Sequence, residues 1–270
     1  MNDRILHLGL IDDEAILLDA AALELAALDH PDMDLDDHVE TLTAITERLA
    51  MLGGDAHSST ARATVLADVI AGEFGFVGDR VAYDDPANAD LIQVMDRRRG
   101  LPVSLAILYV AAARRLSWPA HALNTPGHVL VQIGEGTAPV LIDPFNAGRI
   151  VEPPQLAALL ARVIGPDGTA TSEHLAPMTN RSVLLRLLLN QATRAEQGGD
   201  HARALTLYQR MTSVVPGSGH AWWERARLEL IHDDVPAARA SLSAMLEMTR
   251  DPATRTHIAA ALDSLPGRDR

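Results

Sequence analysis

His128-Val-Leu-Val-Gln-Ile133, then Gly134-Glu135-Gly136, then Ala138-Pro-Val-Leu-Ile-Asp143: two short runs rich in branched apolar residues flank a glycine turn. That pattern predicts a β-hairpin. With Glu135-Gly136 as a two-residue turn, Leu130 faces Leu141, Val129 faces Ile142 and His128 faces Asp143. Opposed Cβ atoms in such pairs lie roughly 4.5–5.5 Å apart, within reach of an imidazole–carboxylate hydrogen bond. A one-residue slip would send the two side chains to opposite faces, so the pairing depends on the turn.

Immediately upstream, Val103 to Leu116 is apolar almost all round, and Pro102 fits its first helical position. A helix without a polar face belongs in the middle of a domain. Four shorter helical patterns precede it. Residues 14–29 place Leu17, Leu18, Ala21, Ala22, Leu25 and Leu28 at helical spacing. Asp36 or Asp37 caps a second helix through Leu49, with Val39, Leu42, Ile45 and Leu49 on its buried side. Ala61 to Glu73 is a third, and Ala89 to Arg98, stopped by Gly100, a fourth. Downstream of the hairpin, Pro153-Pro154 opens a short helix to Val163, and Gly165-Pro166-Asp167-Gly168 marks a domain boundary.

Beyond a linker the sequence repeats itself. At a spacing of 34, Ala192, Ala226 and Ala260 recur, as do Ala204 and Ala238, Asp200 and Asp234, and Met211 and Met245. Small residues let the two helices of a repeat approach, and large ones fill the next groove, which is the tetratricopeptide plan. The expected repeats are 185–218 and 219–252, with a last helix near 253–265 whose Ile258, Leu262 and Leu265 turn inward. The apolar run Val183 to Leu189 predicts that the first repeat helix packs on the preceding domain. The expected organisation is therefore 1–168, a linker and helix start at 169–184, and a repeat lobe at 185–270, in an α+β chain with an all-α tail.

The 270 residues contain no cysteine and, since all 23 basic residues are arginine, no lysine. Disulfides, cysteine nucleophiles, Schiff-base lysines and phosphate-loop lysines are thereby excluded. Residues 1–56 carry 14 acids against 2 bases, part of a net charge of −13. Nucleic acid is a poor partner for such a surface; a solvated helical face, or docking to a basic protein, fits it. There is no run of 18 apolar residues and no basic-then-apolar leader, so the expectation is a cytoplasmic protein with no membrane span. His30, His38, His121, His174, His220 and His232 lack partners at metal-ligand spacing, so neither a zinc site nor a cofactor is expected.

Asp85-Pro86-Ala-Asn88, Val94-Met-Asp-Arg-Arg-Arg-Gly-Leu-Pro-Val-Ser-Leu105, Ala113-Arg-Arg-Leu116, Pro126-Gly-His128-Val-Leu-Val131 and Ile142-Asp-Pro-Phe145 together resemble the SirB family. The resemblance extends over nearly the whole chain. It implies a transglutaminase-like (papain-like) core with N-terminal helices, followed by tetratricopeptide repeats. In active enzymes of that fold a cysteine opens the central helix and attacks an amide, while a histidine shuttles the proton and an aspartate orients it. The resemblance gives the histidine role to His128, the aspartate role to Asp143, and the cysteine position to Pro102, which cannot attack anything.

Ser104 is the nearby replacement, two residues and roughly 200° further round the helix. It is either a helix-terminus hydroxyl bonded to backbone or a weak nucleophile that needs His128 against it. The His128–Asp143 pair is correspondingly structural, ligand-binding or acid–base. Arg97, Arg98 and Arg99 either pair with Asp84, Asp85 or Asp96, or line the cleft and hold a carboxylate or phosphate. Asn88 ties a loop. Of Trp222 and Trp223, one is core and its neighbour is free to line a peptide groove. The favoured expectation is a non-catalytic scaffold or regulator that binds a protein partner; the competing one is a serine-dependent amide or ester hydrolase, or an acyltransferase, using Ser104, His128 and Asp143.

Overall fold

The computed structural model describes residues 3–136, 138–164 and 175–266. The chain divides into two compact units: Asp12–Leu184, and Leu185–Arg270 together with Met1–Ile11.

In the first unit, helix α1 (Leu18–Ala27) buries Leu18, Ala21, Ala22 and Leu25. Leu17, expected in that stripe, is instead its N-cap and is exposed. Helix α2 (Asp36–Leu52) buries His38, Leu42, Ile45 and Leu49 rather than the expected set with Val39. The spacing i, i+4, i+7, i+11 from His38 tracks a 3.6-residue period better, and Val39 is turned one position out of the stripe. His38 is kept there by Asp96, its Nε2 lying 3.0 Å from Oδ1. Helix α3 (Ser59–Ala67) starts at the Ser58 side-chain cap. It does not continue as α-helix to Glu73: Asp68–Glu73 is a π-turn, closed by Phe74 N–H donating to Val69 O five residues back.

Helix α4 (Leu91–Arg97) is capped by Asp90 and ends where Arg98 adopts φ 56°. Ala89, expected to open this helix, instead ends a separate 3₁₀ turn, residues 86–89, capped by Asp85. Helix α5 (Pro102–Arg115) is the core helix: every residue from Pro102 to Ala113 is buried. Proline at its first position forfeits a backbone donor that would be unpaired there anyway. Its far end is joined to α1 by an ion pair between Arg115 and the buried Asp19.

Two short strands, β1 (Val77–Gly78) and β2 (Arg99–Gly100), pair in parallel. Strands β3 (Ala120–Leu123), β4 (Leu130–Ile133), β5 (Val140–Asp143) and β6 (Arg149–Ile150) form an antiparallel sheet in that order, with β3 and β4 against α5. The hairpin is present, with a register different from the expected one. Val131 pairs with Ile142, Gln132 with Leu141 and Ile133 with Val140. The expected two-residue turn at Glu135-Gly136 is replaced by a longer connection. Pro139 has no N–H to give a ladder, which keeps the strand from starting before Val140. The shift is two residues, so every side chain keeps its expected face. After helix α6 (Pro153–Ile164), the expected boundary at Gly165–Gly168 and the linker as far as His174 lie outside the described residues. Ala176–Met178, also expected as linker, runs along β3: Asn124 N–H donates to Ala176 O and Met178 N–H to Ala122 O.

Helix α7 (Asn180–Gln197) contains the division between the units. The second unit continues with α8 (His201–Val214), α9 (Gly219–Ile231), α10 (Val235–Met248) and α11 (Pro252–Ser264). Its geometry recurs with the 34-residue spacing. Asp200 and Asp234 each cap a helix by accepting a backbone N–H three residues on. The residues before them, Gly199 and Asp233, both take positive φ, 77° and 59°. Ala192, Ala204, Ala226 and Ala238 are all buried, but Ala260 is exposed. Ile258 closes a cluster with Ala226, Ala238, Leu242 and Met245, with Leu262 and Leu265 packed against it. The 3₁₀ turn Asp3–Gly9 lies on α8, where a Cβ at Gly9 would overlap Ser213 O.

Candidate functional site

A tight turn, in which Gly127 takes φ 65° and His128 N–H donates to Thr125 O, delivers His128 to the mouth of β4. Asp143 ends β5, and its carboxylate caps the 3₁₀ turn Pro144–Asn146. The two side chains meet at 2.9 Å, His128 Nε2 to Asp143 Oδ1. They are not directly opposed: in the observed register His128 sits diagonally across from Asp143, on the same face, a separation that an imidazole spans. A carboxylate only accepts, so Nε2 carries the hydrogen and Nδ1 is the acceptor of the neutral ring. Burial pushes the Asp143 carboxyl up, but bonds from His128 and Asn146 outweigh it and hold the group below the usual carboxylate range. Asn146 gives Asp143 both its backbone N–H and its side-chain amide, and its Oδ1 accepts from Arg80. The Phe145 ring stands edge-on to His128, with centroids 6.0 Å apart.

Ser104 is fully buried and its Oγ donates to Asn88 O at 2.7 Å. The same carbonyl accepts Leu101 N–H at 3.0 Å. Asn88, also fully buried, donates through Nδ2 to Ala82 O at 2.6 Å, tying the 82–88 loop. The structure thus brings the sequence candidates together as two pairs, His128 with Asp143 and Ser104 with Asn88. No hydrogen bond joins the pairs among the described residues.

The three consecutive arginines go three ways. Arg97 bonds Asp79 at 2.9 Å, a partner the sequence did not indicate, with Asp85 at 3.7 Å. Asp79 is held below the usual carboxylate range, first by the Ala82 N–H, against burial. Arg98 lies 4.5 Å over the Phe76 ring, and burial lowers its pKa. Arg99 lines a cavity of about 400 Å³ with Gly78, Arg80, Phe145, Asn146 and Arg149. Sequence reading missed Arg80, Asn146 and Arg149. Asn146 adjoins the quoted Ile142–Phe145 motif and could have been taken with it; the two arginines carry no local signal.

In the second unit Trp222 and Trp223 are both partly buried against one cluster, rather than divided between core and groove. Trp222 Nε1 donates to Pro216 O, and Trp223 stacks on His257. Among the described residues no group of three or more His, Asp or Glu could hold a metal ion, and no helix is long and apolar enough to cross a membrane.

The family model described as the transglutaminase-like superfamily matches residues 35–189, which include α5, the hairpin and the His128–Asp143 pair. A UPF0162 protein of Xylella fastidiosa is 29 % identical over 246 residues, 89 % of this chain and 87 % of that one. A UPF0162 protein of Pseudomonas aeruginosa is 29 % identical over 265 residues, 98 % of this chain and 97 % of that one. F-box only protein 21 of Homo sapiens is 33 % identical over 78 residues, 29 % of this chain and 12 % of its own. The match covers more than half of the chain, and the chain belongs to the transglutaminase-like superfamily.

Proposed function

We propose that this protein is a SirB-like, non-catalytic member of the superfamily, a cytoplasmic scaffold or regulator that binds a protein or peptide. One observation carries the reading. The chain has no cysteine, the position the resemblance assigns to the nucleophile is Pro102 at the first turn of α5, and the neighbouring hydroxyl of Ser104 is spent on Asn88 O. A hydroxyl becomes a nucleophile when a base takes its proton; here a backbone carbonyl holds it. The recurrence of caps, positive-φ turns and buried alanines every 34 residues supports reading the second unit as tetratricopeptide repeats, a plan suited to peptide binding.

The test is a direct assay of the purified protein with amine donors and glutamine-bearing substrates, and with amide and ester substrates. No turnover is expected. Turnover that survives repurification and disappears in Ser104→Ala, with the fold intact, would overturn the reading in favour of a serine-dependent hydrolase or acyltransferase using Ser104, His128 and Asp143.

A further inference from the structure

We infer that the cavity beside the His128–Asp143 pair is a binding site for a multivalent oxyanion, a phosphate or polycarboxylate group presented by a small molecule. Three arginines, Arg80, Arg99 and Arg149, line one cavity of about 400 Å³. They come from three separate places in the chain: the residue after Asp79, strand β2 and strand β6. None of the three makes an ion pair with a carboxylate among the described residues. The chain has 36 acidic residues for 23 basic ones, so acceptors are in excess. Arg48, Arg97, Arg115, Arg225 and Arg227 all have carboxylate partners.

The cavity's lining includes one carboxylate, Asp79, which is already engaged by Arg97 and by the N–H groups of Val81 and Ala82. Like-charged groups gathered without a counter-charge repel one another, and an anion relieves that repulsion while taking up the planar donor forks. The site is also built. Gly78 forms its floor because a Cβ there would overlap the Phe145 ring, so the ring lies flat against the backbone. Asn146 fixes Arg80 through its Oδ1 and is itself fixed by Asp143. The cavity's size suits a small molecule rather than a chain surface. Nothing in this inference depends on whether the protein catalyses a reaction.

Isothermal titration of the full-length protein with inorganic phosphate and, separately, with citrate tests it, each against chloride at matched ionic strength. One saturable site is expected for at least one of the two. Arg99→Gln and Arg149→Gln should each weaken it about tenfold, since a charge-assisted bond in a partly exposed site is worth that ratio. Both side chains are exposed and lose no ion pair, so the variants should fold; their melting curves check this. Arg48→Gln, outside the cavity, should bind as the parent does. Binding of phosphate alone identifies a phosphate ligand, and of citrate alone a polycarboxylate. Saturable binding of neither, or binding unchanged in the Arg99→Gln, Arg149→Gln double variant, overturns the inference.

Discussion

Ser104→Ala separates a structural hydroxyl from a chemical one. The hydroxyl is fully buried and donates to Asn88 O at 2.7 Å. Losing one intramolecular hydrogen bond costs about 1 kcal/mol net. The larger penalty for a buried acceptor left bare does not apply, because Leu101 N–H still donates to the same carbonyl at 3.0 Å. Alanine's better helix propensity offsets a few tenths, roughly, at this first-turn position. The expected destabilisation is therefore about 1 kcal/mol, or some 2–4 °C in melting temperature for a unit of this size. Asn88→Ala provides the internal comparison. It removes two bonds at once, to Ala82 O at 2.6 Å and to Tyr83 O at 3.4 Å, and leaves a cavity where a fully buried side chain stood. That loss should reach about 2–3 kcal/mol. Melting both variants by circular dichroism gives the order without assuming two-state unfolding. A Ser104→Ala protein as stable as its parent, or less stable than Asn88→Ala, would refute the assignment of the hydroxyl to the Asn88 carbonyl.

Three other outcomes are expected. Asp143 has a folded pKa below its unfolded value, so its contribution is fully present above about pH 4 and is lost as pH falls through the folded value. Urea midpoints of the parent should therefore fall more steeply on acidification below about pH 4 than those of Asp143→Asn, and parallel curves would refute the coupling. Gly78→Ala should push the Phe145 ring off its seat and cost about 1–3 kcal/mol; a neutral effect would mean that the backbone yields there. Asp200→Ala and Asp234→Ala should each cost about 1 kcal/mol, as loss of an N-cap does. Unequal losses would show that the 34-residue recurrence is not one of equivalent turns.

The hairpin shows which features of the site could be read in the sequence. The expected register was off by two residues, yet His128 and Asp143 meet. Side-chain facing depends on parity alone, and parity survives a two-residue shift. What failed was turn length, because the effect of Pro139 on the start of β5 outweighed the glycine signal at residues 134–136. Strand β3 was missed for a different reason. Ala120-His-Ala-Leu123 has little β-branched character, and it is a strand because β4 offers it an edge. In α2, His38 takes the stripe position beside Val39 because Asp96 pairs with its imidazole and makes its burial acceptable. Arg99 could be read in the sequence as a candidate anion ligand, but Arg80 and Arg149 could not, for a topological reason: the three meet only once β1 pairs with β2 and β5 with β6.

That topology also gives the His128–Asp143 pair a role that needs no nucleophile. Asp143 accepts from His128 on one oxygen and from the Asn146 amide on the other, while Asn146 accepts from Arg80. The polar chain runs without a break from the imidazole to the wall of the cavity. A buried carboxylate requires partners wherever it sits, and here the partners fix the Pro144–Asn146 turn that carries Phe145 and Asn146 into the lining. In a catalytic dyad the aspartate orients the histidine toward a nucleophile. Here the geometry supports orientation in the other direction, with His128 steadying Asp143 and Asp143 steadying the anion cavity. His128→Gln, which keeps a donor for Asp143, should then preserve anion binding, whereas Asp143→Ala should weaken it although neither residue lines the cavity. Weakening by His128→Gln equal to that by Asp143→Ala would mean that the imidazole itself, and not its hydrogen bond, is what the site requires.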